Sequence, residues 1–201
     1  MEQNDSFDVL NIWNFLKSDN QKLGEDTLRE YLSEFSCPLN PDVERFLKEQ
    51  AVDFARKHQA VTYLLVSNED NALLGYFSIA IKPIVISAEP FSNTVKRKFA
   101  RFSEISKDDQ TYNISSYLIA QLGKNFSEDV ADRITGRRLL DAAVEQLQII
   151  QRLAGGMVSF VEAENREKLL AFYENYGYKR FSTRFTSAGD SHELIQLLKL
   201  I

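Results

Sequence analysis

Cysteine occurs once and histidine twice, and 24 basic residues are outnumbered by 29 acidic ones. A lone Cys37 excludes an internal disulfide, and one Cys with two His excludes an ordinary four-ligand zinc site, so no metal is expected. No apolar run approaches the roughly 20 residues that span a bilayer. Met1-Glu2-Gln3-Asn4-Asp5 is polar and acidic, unlike a secretory signal. The expectation is a cytoplasmic protein with no membrane partner. A net charge of −5 argues against general affinity for nucleic acid, although a local basic patch is compatible with it. There is no Gly-x-Ser-x-Gly elbow, and Cys37 beside Pro38 has no evident base, so nucleophilic catalysis is not expected.

What is present is a globular composition, 44% apolar and 26% charged over 201 residues. Residues 7–18 place Val9, Leu10, Trp13, Phe15 and Leu16 at helical spacing, 21–24 read as a break, and Asp26 caps a second helix through Leu32. Asn40 followed by Pro41 is a favoured helix start, and Val43, Phe46, Leu47, Ala51, Phe54 and Ala55 continue that helix to about residue 59. Strands are expected at 61–66 and 73–81 around the turn Asn68-Glu69-Asp70-Asn71. Gly75 marks a bulge or close approach, and Pro83 interrupts the second strand. Residues 95–101 form a basic amphipathic helix with Val95, Phe99 and Phe102 on one face. Such a face is either an RNA-facing or acidic-partner surface, or a solvated exterior. Residues 107–113 read as a polar loop.

The apolar strand 114–122, a polar turn, and a helix from Arg133 to about Leu153 precede Gly155-Gly156 and a strand from Met157, which together make a βαβ unit. The helix start at Asp132-Arg133-Ile134-Thr135-Gly136-Arg137-Arg138 suits an anion. Its first N–H groups lack internal acceptors, Gly136 carries no side chain, and Arg133, Arg137 and Arg138 add charge at the rim. The same pattern also fits an ordinary helix start with solvated arginines. A helix from Arg166 to Tyr176, stopped by Gly177, leads to strands 178–185 and 193–200 around the turn 187–190.

Ala163-Glu164-Asn165 followed by Ala171-Phe172-Tyr173-Glu174-Asn175-Tyr176-Gly177-Tyr178 resembles the C-terminal half of the GNAT superfamily of acetyl-coenzyme A-dependent N-acetyltransferases. The Gly136-Arg137-Arg138-Leu139-Leu140 stretch is similar to that family's pyrophosphate loop. Phe35-Ser36-Cys37, Pro41 to Leu47, Tyr63 to Val66 and Leu74 to Ser78 resemble the N-terminal half of its toxin-like branch, which acts on aminoacyl-tRNA. The loop departs from the family pattern Gln/Arg-x-x-Gly-x-Gly/Ala: the matching positions are Ala131, Ile134 and Gly136, and the branched Ile134 narrows the room for a pyrophosphate.

The resemblance implies an α/β fold, a GNAT-like central mixed and mostly antiparallel sheet flanked by helices. It covers residues 35–201, with residues 1–34 as an extra N-terminal helical segment. It implies acetyl-CoA as co-substrate and no metal. The backbone of Leu122, Gly123 and Lys124 would hold the pantetheine arm, and the amides from Arg133 through Ile134, Thr135, Gly136 and Arg137 to Arg138 would take the pyrophosphate. Asn165 would bond the cofactor chain or cap its helix. Tyr173 would act as general acid on the leaving thiolate, and its alternative reading is a core aromatic. Base candidates are Glu162, Glu164, Glu128 and Asp129, with His58 and His192 expected to be structural or exposed. The acceptor is an amine of unknown class; tRNA is admitted but disfavoured by the net charge, and a homodimer is an option. The competing reading is a degenerate GNAT fold serving as a binding or regulatory module.

Overall fold

The computed structural model describes residues 6–16, 24–186 and 192–201, so residues 17, 18, 21–23 and the turn 187–190 lie outside the described residues. A seven-stranded mixed sheet has the strand order β1-β2-β3-β4-β5-β7-β6. The strands are β1 (Phe7–Asn11), β2 (Val61–Ser67), β3 (Leu73–Ser87), β4 (Thr111–Lys124), β5 (Val158–Glu164), β6 (Lys179–Phe185) and β7 (Glu193–Leu200). The helices are α1 (Trp13–Leu16), α2 (Glu25–Ser33), α3 (Pro41–Arg45), α4 (Ala51–Arg56), α5 (Asn93–Phe99), α6 (Gly136–Ala154) and α7 (Glu167–Asn175). Contacts divide the chain into one unit of Met1–Ala80 with Ile119–Gln146, and a second of Ile81–Leu118 with Leu147–Ile201.

In the first unit, the helix expected over 7–18 is corrected. Phe7–Asn11 is a strand paired antiparallel with β2, Val9 opposite Leu65, and only Trp13–Leu16 is helical. The mixed apolar spacing of this short stretch satisfies both periods, and the pairing with β2 selects the strand. The helix after it is preceded by Gly24, which makes no side-chain cap bond, rather than capped by Asp26. Asn40 does cap α3, its side chain accepting the N–H groups of Asp42 and Val43, with Pro41 at the first turn. A π-helical turn at Phe46–Gln50 joins α3 to α4. These helices pack Val43, Phe46, Leu47, Ala51 and Val52 with Leu28, Leu32, Phe35, Leu64 and Tyr76 into one core.

The hairpin of β2 and β3 bulges between Leu65 and Val66, opposite Gly75. A Cβ on Gly75 would lie 2.8 Å from the Gly123 carbonyl oxygen. One on Gly123 would lie 2.6 Å from Val43 Cγ1 and 2.7 Å from the Tyr76 ring. The glycine expected to mark a bulge or close approach marks both. The tip of the hairpin holds Asn71 at φ 61.

In the second unit, Pro83 does not interrupt β3. It lies beyond Ile79, the last residue paired with β2, where a missing N–H breaks no bond on that side. Strand β4 begins at Thr111, inside the expected loop. Helix α5 buries Phe99 against Phe91 and Tyr112, whereas Phe102 is 53% exposed rather than part of the buried stripe. Gly155 and Gly156 adopt the expected left-handed backbone, φ 76 and 92. Strand β7 pairs antiparallel with both β5 and β6.

Gly123→Ala should destabilise the fold by about 1–3 kcal/mol, because the new methyl overpacks Val43 and the Tyr76 ring. Urea denaturation of the two proteins checks this; an unchanged midpoint would contradict the close packing.

Candidate functional site

The first unit carries the strand-loop-helix. Strand β4 ends at Lys124, and the next residue, Asn125, is 2% exposed. Its side-chain oxygen accepts the N–H groups of Ser36 and Ser127, and its Nδ2 donates to the Leu73 carbonyl. Its own N–H donates to Leu74 O. A buried amide satisfied on both sides fixes where the loop departs from the sheet.

The loop's other anchor is Arg133. Its guanidinium donates to both carboxylate oxygens of Asp70 at 2.8 and 2.9 Å and to Ser67 Oγ at 2.8 Å. A bidentate pair of this kind is directional as well as charged. It ties the loop to the hairpin tip, and it gives the Arg133 side chain a partner inside the protein.

The helix begins at Gly136, three residues later than expected. Thr135 is the reason: its hydroxyl accepts the Arg138 N–H at 3.2 Å and its carbonyl accepts from Leu139 N. Thr135 thus acts as the N-cap, and the Arg133 N–H is spent on the Val130 carbonyl. The amides of Arg133 and Arg138 are therefore already engaged within the protein. Ile134 is 2% exposed. The residue as a whole is packed into the protein. Arg137 stands 3.6 Å from Asp141, and the Arg138 guanidinium lies 5.2 Å from the Phe7 ring centroid. Leu122 and Lys124 are half-buried, Gly123 is buried, and Lys124 Nζ sits over the Phe126 ring.

The second unit carries Tyr173 and Asn165. Tyr173, on α7, is 8% exposed, edge-on to Phe172 and Tyr178 with ring centroids 5.1 and 5.8 Å away. Burial, with a smaller contribution from Tyr178, pushes its phenol well above the ordinary tyrosine range. The group is protonated throughout the working pH range, which makes it a donor and not a base. Asn165 is not the helix cap. Arg166 takes that position, and Asn165 Nδ2 donates to Glu193 at 2.9 Å.

Of the base candidates, Glu162 accepts from Gln196 at 2.8 Å and lies 3.5 Å from Arg184, and Glu164 pairs with Arg166. His58 stacks on Trp13. No group of three metal-ligating side chains occurs among the described residues, and no helix is long and apolar enough to cross a membrane. Sequence reasoning missed Asn125, Ser67 and Asp70 as the residues that hold the loop. Asp70 was legible only as a turn residue, and its partner lies 63 positions away.

No protein-family model matches the chain, and no curated protein matches it. Solved structures do. The chain is similar to AtaT complexed with acetyl-methionyl-tRNAfMet, with 20% identity over 82% of this chain and 85% of that one and a TM-score of 0.56. It is similar to a tyrosine-to-phenylalanine variant of KacT, with 21% identity, 83% and 86% coverage and a TM-score of 0.57. AtaTR bound with AcCoA matches at 17% identity, 95% and 93% coverage and a TM-score of 0.56. At these identities the likeness is one of fold: the chain has a GNAT-like α/β fold.

Arg133 holds the Asp70 carboxyl well below its usual range. A depressed carboxyl stabilises the fold above its unfolded pKa of about 3.9, and that contribution is lost as pH falls through the folded value. Wild type should therefore exceed Asp70→Asn in melting temperature by a constant margin above about pH 5, shrinking below about pH 4. A margin independent of pH down to acid unfolding would contradict the assignment.

Proposed function

We propose that the chain is an acetyl-CoA-dependent N-acetyltransferase. The observation that carries this is the clasped loop leading from β4 to Thr135 and Gly136 at the head of the long helix α6, within a fold shared with acetyltransferase toxins, one of them solved with AcCoA. The donor set fits a diphosphate: a long helix that starts at a glycine, whose first amides have no acceptor within the helix, and a loop held by Asn125 and Arg133.

Acetyl-CoA would supply the activated acetyl thioester. The backbone of Leu122, Gly123 and Lys124 would hold its pantetheine arm, and the amides of Ile134, Thr135, Gly136 and Arg137 its pyrophosphate. Holding a neutral amine and the thioester together lowers the entropic cost of direct attack. Tyr173, kept protonated by burial, would donate its proton to the departing thiolate, and Asn165 would serve the cofactor chain.

A finer reading takes aminoacyl-tRNA as the acceptor. It is favoured by Lys96, Arg97 and Lys98 of α5 and Arg101 two residues beyond it, which have no ion-pair partner among the described residues. In a chain of net charge −5 this segment is a local concentration of positive charge rather than part of a general affinity for RNA.

Calorimetric titration of acetyl-CoA should show one site per chain with micromolar affinity. Tyr173→Phe should bind it equally well and lower kcat by about a hundredfold or more, the range of general acid catalysis. Absence of binding would favour the degenerate module, and full activity in Tyr173→Phe would remove the acid assignment. Replacing Lys96, Arg97, Lys98 and Arg101 by Ala should raise KM for an aminoacyl-tRNA without changing acetyl-CoA affinity.

A further inference from the structure

Phe102 has no place in the core of the second unit. Phe99, three residues earlier, is fully buried, edge-on to Phe91 with ring centroids 5.3 Å apart and 5.6 Å from Tyr112. Phe102 is 53% exposed, and its ring makes no contact with another ring or a cation among the described residues. The turn that carries it is nonetheless held. Phe102 N and Ser103 N both donate to the Phe99 carbonyl, at 2.9 and 3.1 Å. Ser103 Oγ accepts the Asn113 N–H at 3.2 Å, and Ser106 N donates to the Thr111 carbonyl at 2.8 Å. The exposed ring therefore stands on a turn fixed to the start of β4.

The charge beside it has one sign. No Asp or Glu occurs from Pro90 to Ser103, the stretch that holds Lys96, Arg97, Lys98 and Arg101. Arg101 directly precedes Phe102, and Lys98 lies one turn before it. A solvated exterior needs the cations but not the ring, whose exposure costs hydrophobic free energy until something covers it. The cations disfavour a basic partner and favour a polyanion that also offers flat apolar faces. An unpaired nucleotide offers both: its base stacks on an aromatic ring, and its phosphates pair with cations. A duplex does not, because its bases are stacked on one another.

We infer that Phe102 is a stacking platform for an unpaired base at the 3′ end of a tRNA, with Lys98 and Arg101 holding the neighbouring phosphates. The inference rests on the aminoacyl-tRNA reading of this segment and adds to it what the segment reads. The cations alone attract any RNA. The ring accepts only a base that is free to leave its neighbours, and in an aminoacyl-tRNA the unpaired 3′ nucleotides are the ones that carry the amine. Recognition by stacking tolerates every base, since each has a π-face. The platform therefore selects the end of the molecule and not its sequence.

Fluorescence anisotropy of the full chain with two labelled probes tests this: an intact uncharged tRNA, and the same tRNA trimmed of its unpaired 3′ nucleotides. Wild type should bind the intact probe more tightly. Phe102→Ala and Phe102→Leu should each weaken binding of the intact probe about fivefold or more and leave the trimmed probe unchanged, while Phe102→Trp retains wild-type binding. Phe102→Ala should keep the salt dependence of wild type, whereas Lys98→Ala should lower its slope by about 0.7. Equal wild-type affinity for both probes overturns the inference. So does a Phe102→Ala variant that binds the intact probe normally, or one that weakens both probes alike. These readouts need no acetyl transfer. Acetylation of an aminoacyl-tRNA with a KM indifferent to Phe102→Ala would remove the platform and leave the acceptor reading standing. Loss of the intact probe in Phe102→Ala, in a protein that acetylates no aminoacyl-tRNA, would keep the platform and remove the acceptor reading.

Discussion

The structure of the first unit depends on how closely two backbones approach. Gly75 and Gly123 leave no room for a Cβ: one on Gly75 would meet the Gly123 carbonyl and Leu139, and one on Gly123 would meet Val43, Tyr76 and Phe35. Tyr76 is fully buried and donates its hydroxyl proton to the Val43 carbonyl, so the same contact locks α3 onto the sheet. Phe35 meets Tyr76 edge-on at 5.2 Å. A methyl at either glycine would separate elements that the core of Leu28, Leu32, Leu47 and Leu64 requires to be in contact.

The end of β4 inherits its position from that contact, and the loop inherits its own from the end of β4. Asn125 converts the strand's last hydrogen bond into a fixed point of departure, and Arg133 converts the loop's return into a second one at the hairpin tip. Between the two anchors Ile134 is drawn inward, and Thr135 starts the helix. A loop with two such anchors has little freedom left to lose, which is the preorganisation that the proposed anion binding would draw on. Arg133, read from spacing as a charge for the ligand, serves to hold the loop. Arg137 and Arg138 turn toward Asp141 and Phe7.

The second unit shows the same division between local and distant causes. Gly177 ends α7 with φ 95, and the aromatic run from Phe172 to Tyr178 packs as a cluster of rings. That Tyr173 would be enclosed enough to raise its pKa could not be read from helical spacing. Spacing gives a face, and burial depends on what lies over it.

By itself the sequence determined the features with short-range causes: the Asn40-Pro41 helix start, the β2–β3 hairpin, the left-handed Gly155-Gly156 stop, and the order of strands and helices from residue 35 onward. Each follows from dihedral preference, capping or alternation within a few residues. Only the tertiary structure decided the rest. It made Phe7–Asn11 a strand because β2 offered a ladder, and carried β3 through Pro83 because β2's pairing ended at Ile79. It moved the α6 start to Gly136, and paired Arg133 with a carboxylate 63 residues away. Partners so far apart in the chain leave no periodic trace, since the energy that selects them exists only once the sheet has brought them together.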